Sequence, residues 1–134
     1  MLRAIRDSIL LPMAEASIGL VLDCAEPEAL ADFWSSALGM VKLGTAGNYV
    51  MLVSQSGMLP KLLLQRVGEP KAGKNRMHLD IEVRDVEAEV SRLQSIGARR
   101  VERERRTEHG ATWVIMADPE GNEFCVCDGG QGAP

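Results

Sequence analysis

The stretch KNRMHLDIEV, Lys74 to Val83, decides how the chain folds. From Met77 onward it alternates: Met77, Leu79, Ile81 and Val83 are apolar, while His78, Asp80 and Glu82 are polar. Such period-two alternation predicts a strand with one buried face. A helical pattern follows at once. In RDVEAEVSRLQSIG, Asp85 stands where a helix cap belongs, Val86, Val90, Leu93 and Ile96 form an apolar stripe, and Gly97 ends it.

The same unit occurs earlier in the chain. IGLVLDC, Ile18 to Cys24, reads as a strand. EPEALADFWSSALG reads as an amphipathic helix with Pro27 in its first turn, Leu30, Phe33, Trp34, Ala37 and Leu38 on one face, and Gly39 just past its end. With Gly19 laid on His78, the terminating glycines fall 20 and 19 residues later, so one gap aligns the two halves. Each helix is followed by three β-like runs, near residues 41–43, 49–53 and 62–67 in the first half and 99–105, 112–117 and 123–127 in the second.

The expected fold is therefore α+β, two tandem βαβββ modules. One module alone leaves a sheet face uncovered, so the pair is expected to form an eight-stranded cup with helices outside and a ligand cavity between the sheets. The expected divisions are an N-terminal extension at 1–16, a first module at 17–68, a linker at 69–75, a second module at 76–128 and a C-terminal tail at 129–134.

Composition narrows the function. The 134 residues, 46% apolar and 25% charged, suit one globular domain, and a net charge of -4 supplies no basic field for nucleic acid or an anionic membrane. The basic run RRVERERR, Arg99 to Arg106, is interleaved with Glu102 and Glu104 and has no aromatic residue for stacking on bases. The apolar run in MLRAIRDSILLPM is too short for a signal h-region or a membrane span, and the odd cysteine count fits a reduced, cytoplasmic protein. Cys125-x-Cys127 lacks the spacing of redox and zinc motifs, so Cys24, Cys125 and Cys127 are expected to pack as small apolar groups. The chain contains no G-x-S-x-G, P-loop or dinucleotide glycine pattern.

Together with this repeat, the segments DCAEPEALADFWSSALG, LLLQRVGEPKAGKNRMHLDIEV and WVIMADPEGNEFCVCD resemble the vicinal oxygen chelate superfamily, which holds glyoxalase I, extradiol dioxygenases and bleomycin-resistance proteins. The likeness is to its small glyoxalase-like domain branch and covers residues 17 to 128 or so. It implies a homodimer and a small-molecule ligand. In metal-using members a divalent ion, Mn, Fe, Ni, Co or Zn, is held by the first and last strands of each module. Carried onto this chain, the second module supplies His78 and Glu123, whereas the first-module counterparts, Gly19 and about Leu63, offer no donor. Gln65 and Asp23 are the substitutes nearest at hand.

The residues leave two functions open. One is a metal-assisted lyase or isomerase in which His78 and Glu123 hold the ion, with Glu123 or Asp80 as the candidate acid–base group. The other is a sequestering protein that needs only an apolar cavity with polar anchors. Gln65, Lys74, Arg76 and Trp113 are candidate ligand contacts, and Lys71 and Arg66 could join Lys74 and Arg76 in a basic mouth for a carboxylate or phosphate. Phe33 and Trp34 are assigned to the core, and Glu82 to a solvated face.

Overall fold

Alternation and helical spacing produce the expected elements. The computed structural model describes residues 17–128, so the extension expected at 1–16 and the tail at 129–134 lie outside the described residues. In the first half, β1 (Gly19–Cys24) is followed by α1 (Pro27–Leu38), β2 (Met40–Ala46), β3 (Tyr49–Ser54) and β4 (Lys61–Arg66). In the second, β5 (Asp80–Glu82) is followed by α2 (Val86–Ser95), β6 (Arg99–Arg100), β7 (Arg106–Glu108), β8 (Ala111–Ala117) and β9 (Glu123–Cys127).

The two sheets repeat one topology. The first has the order β1-β4-β3-β2 and the second β5-β9-β8-β6, with β7 also on β8. In each, the opening strand lies parallel to the closing one, and the hairpin strands are antiparallel. The run expected over 99–105 departs from this pattern. It divides into β6 and β7, which pair with β8 at Arg99↔Ala117 and Arg106↔Trp113. Between them the chain bends away: Glu102 to Arg105 contains no apolar side chain to hold it on a sheet face, and Arg106 Nε, at the start of β7, donates back to Glu102 at 2.9 Å.

Met77 also departs from expectation, being 80% exposed. The ladder between β5 and β9 starts where Cys125 N donates to Leu79 O, and β9 begins only at Glu123, so Met77 has no neighbouring strand to cover it. Leu79, Ile81 and Val83 pack against the core as their alternation requires.

Both helices stop and start for visible reasons. α2 is capped by Asp85, whose carboxylate accepts from Ala88 N at 3.0 Å, and it buries Val86, Val90 and Leu93. α1 has Pro27 at its start and Gly39 beyond its end at φ 65, a left-handed conformation that costs glycine little. Its Glu26 caps nothing with its side chain. The donors there are met from the other module: Glu120, in the β8–β9 turn, accepts from Ala25 N at 2.8 Å and Glu26 N at 2.9 Å.

A single core joins the modules. Leu52, Leu62 and Leu64 of the first sheet and Val114, Met116, Phe124 and Val126 of the second belong to one buried cluster with Phe33 and Trp34. Trp34 meets Phe33 and Phe124 edge-on, with ring centroids 5.1 Å apart in each pair. Its indole Nε1 donates at 3.0 Å to Asp118, a carboxylate only 2% exposed. Arg92 of α2 donates to Ser36 O and Ala37 O at the end of α1, a second tie between the halves.

Trp34→Phe keeps an aromatic ring but strips a donor from a buried carboxylate, at an expected cost of about 2 kcal/mol. Urea unfolding followed by circular dichroism checks this; an unchanged midpoint would show that the bond contributes nothing to the fold.

Candidate functional site

β1 and the Met77–Leu79 segment that leads into β5 line a common cavity of about 300 Å³. Its apolar wall includes Leu20, Leu22, Trp34, Leu62 and Phe124, and its polar groups are Asn75, His78, Asn122 and Glu123. Alternation explains the split. Leu20 and Leu22 are the residues of β1 that turn toward the core, as Leu79 just before β5 and Ile81 within it do.

Sheet register corrects one equivalence drawn from the repeat. Gly19 pairs with Lys61 across β1 and β4, and the β5–β9 register, extended two residues back from Asp80↔Cys125, sets His78 opposite Glu123. The first-module counterpart of Glu123 is thus Lys61, and Leu63 corresponds to Cys125. Lys61 also lies over the glycine: a Cβ on Gly19 would stand 3.1 Å from its Cε. Where a chelate would draw two donors from the first module, this chain places a bare backbone and an ammonium.

Glu123 is committed elsewhere. Its Oε1 lies 2.8 Å from Lys71 Nζ, and its Oε2 accepts from Asn75 N at 3.3 Å. The Lys71 ammonium, aided by the Asn75 backbone N–H, holds the carboxyl below its usual range despite the opposing effect of burial. A four-position chelate of the kind the resemblance implies does not fit these residues: Gly19 has no donor, Lys61 repels a cation, and Lys71 already neutralises Glu123.

His78 instead faces Asp80, with Nε2 3.3 Å from Oδ1. Cys125 completes the group, and the donor atoms of His78, Asp80 and Cys125 all lie within 4.8 Å of one another. Burial, and next the negative charge of Asp80, push the Cys125 thiol up to about 11, against the pull of Lys74. Cys24 is likewise raised to about 11 by burial, as expected for a packed thiol. None of the three cysteines is in a disulfide.

The other candidates fall in separate places. Asp23 lines a groove of about 830 Å³ with Lys71, Asn75 and Glu120. Gln65 donates to the Tyr49 hydroxyl at 3.1 Å and lines a trough of about 520 Å³ with Val21, Leu63 and Met51, on the face of the first sheet away from the core. Trp113 is partly buried on β8, opposite Cys127. Lys74, Arg76 and Glu82 are exposed. The basic mouth is dispersed, because Arg66 donates to Ala25 O at 2.6 Å and Lys71 serves Glu123 and Gly73 O.

Three parts of this arrangement escape sequence reasoning. Asp118 and Glu120 read only as turn residues, yet they join the modules. Lys61 shows no signal, since its importance comes from lying over Gly19. Cys125 could have been placed on the face of Glu123 by alternation, but only the β5–β9 register brings it to Asp80.

A family model described as Glyoxalase-like domain matches residues 19–127. No curated protein matches the sequence. Solved structures do match. A glyoxalase/bleomycin resistance protein/dioxygenase family enzyme from Burkholderia phytofirmans PsJN superposes with a TM-score of 0.70 at 15% identity, over 84% of this chain and 98% of that one. A glyoxalase-related enzyme from Fulvimarina pelagi gives 0.64 at 19%, over 86% and 88%. A mutant of the genomically encoded fosfomycin resistance protein of Listeria monocytogenes, complexed with Mn(II) and 1S,2S-dihydroxypropylphosphonic acid, gives 0.69 at 11%, over 87% and 91%. At such identities the likeness establishes the fold. Among the described residues, no helix is long and apolar enough to cross a membrane.

Lys71→Met is expected to return the Glu123 carboxyl toward its ordinary pKa, read by carboxyl-carbon NMR titration. In the parent chain the depressed value makes Glu123 stabilising above the ordinary glutamate range, a contribution lost as pH falls through the folded-state value. The variant should therefore lose stability near neutrality and change less on acidification; equal acid sensitivity of both chains would count against the pair.

Proposed function

The chain belongs to the glyoxalase-like domain family, and from that premise we propose that it binds a small organic molecule in the cavity between its two modules. One observation carries this reading: both modules build one cavity whose walls are mainly apolar, with a few polar groups gathered on the β5 side. Its volume lies at the small end of the roughly 300–1,000 Å³ typical of ligand sites. The chemistry selects a compact molecule with an apolar body against Leu22, Trp34 and Phe124 and a hydrogen-bonding group toward His78 and Asn75.

Sequestration, as in the bleomycin-resistance branch, is the form of the proposal that the donor set favours. A lyase or isomerase working through an ion on His78 and Glu123 would first need Lys71 to release the carboxylate. Homodimerisation belongs to the same proposal. Val21, Val41, Leu43 and Tyr49 leave an apolar face of the first sheet open to solvent, with Leu43 65% exposed, and a second copy would cover it.

A fragment screen by NMR tests the binding site. Bound fragments should shift the Trp34 indole resonance, and His78→Ala should weaken them about tenfold, the worth of one hydrogen bond. Hits that perturb Trp113 but leave Trp34 and the His78→Ala affinity unchanged would move the ligand out of this cavity. Light scattering tests the assembly: the parent should have the mass of two chains, and Leu43→Glu the mass of one.

A further inference from the structure

We propose that His78, Asp80 and Cys125 form a zinc site built by the second module alone, one register step away from the His78–Glu123 pair. His78 and Asp80 are alternate residues of one extended segment, and Cys125 is the ladder partner of Asp80, so all three point from the same face of the second sheet. Their donor atoms, an imidazole nitrogen, a carboxylate oxygen and a thiol sulfur, lie within 4.8 Å of one another.

Tetrahedral zinc with bonds of about 2.0–2.3 Å sets its donors about 3.3–3.8 Å apart. The His78 Nε2 to Asp80 Oδ1 distance of 3.3 Å already meets that spacing. Cys125 Sγ has to approach by about 1 Å at most, within reach of a change in χ1.

The donor set also selects the metal. A thiolate beside an imidazole and a carboxylate suits zinc or cobalt over the harder manganese and magnesium ions. Ionised Asp80 and Cys125 together cancel the charge of a divalent cation. The thiol must surrender its proton to the metal, and Lys74, which bears on Cys125, eases that ionisation while opposing the cation. Arg106 also interacts with Cys125. Three protein donors leave a fourth position open, and His78 sets that position beside the cavity between the modules. The site does not depend on which molecule enters that cavity.

Cobalt(II) reports the assignment directly, because sulfur ligation produces a thiolate-to-metal charge-transfer band and four-coordination produces strong visible bands. The reduced full-length chain titrated with Co2+ should develop both at one equivalent, and Zn2+ should bleach them. Cys125→Ser should abolish the charge-transfer band, whereas Cys127→Ser and Glu123→Gln should retain it. His78→Ala and Asp80→Asn should weaken cobalt binding at least about tenfold. Asp80 is exposed, so its variant keeps the test valid even if Cys125→Ser fails to fold. The site is refuted by cobalt binding without a charge-transfer band, by a band that survives Cys125→Ser, by loss of the band in Cys127→Ser or Glu123→Gln, or by undiminished affinity in Asp80→Asn.

Discussion

The contact between Trp34 and Asp118 is the constraint on which the two-module arrangement depends. A helix of the first module inserts an indole among core residues of the second, and its one polar atom finds a carboxylate that is itself almost wholly buried. Asp118 is not left to a single donor. It also accepts from Glu120 N at 2.9 Å and from Asn122 N at 2.9 Å, so the DPEGN turn is folded around the same carboxylate that receives the indole. A buried charge surrounded by donors tolerates little displacement, because any lost bond leaves a desolvated oxygen unpaired.

That clamp has consequences for the site. With the turn held by Asp118, Glu120 reaches the start of α1 and Asn122 and Glu123 enter the wall between the modules. The DPEGNEF segment is therefore largely architectural. Its most recognisable residues position the cavity, and the one with a chemical claim, Glu123, is bound up with Lys71 and Asn75. Chemistry on the second sheet is concentrated one register step farther along, where Asp80 and Cys125 are cross-strand neighbours.

Much of the fold was legible because its signals are local. Asp85 caps α2, Gly39 closes α1, the apolar stripes of both helices pack inward, and alternate residues of the strands, Val50 and Leu52, Leu62 and Leu64, Val114 and Met116, Phe124 and Val126, are buried as their spacing requires. The failures occurred where local pattern is weak. The Glu102–Arg105 segment has no apolar alternation and left the sheet, and Met77 lost its burial because β9 begins too late to stand beside it. The site was legible only in part. His78 and Glu123 do line one cavity, while Gln65 and Trp113 lie elsewhere, since alternation assigns a residue to a face without saying which cavity that face meets.

By itself the sequence determined the repeated βαβββ unit, its helix ends and the residues of its core, because hydrogen-bonding period and apolar spacing act over a few residues. Only the tertiary structure decided that Lys61 covers Gly19, that Lys71 takes Glu123, and that Cys125 stands beside His78 and Asp80. Each of those contacts joins segments separated by tens of residues, and their meeting depends on strand register and on where the chain between the modules is laid.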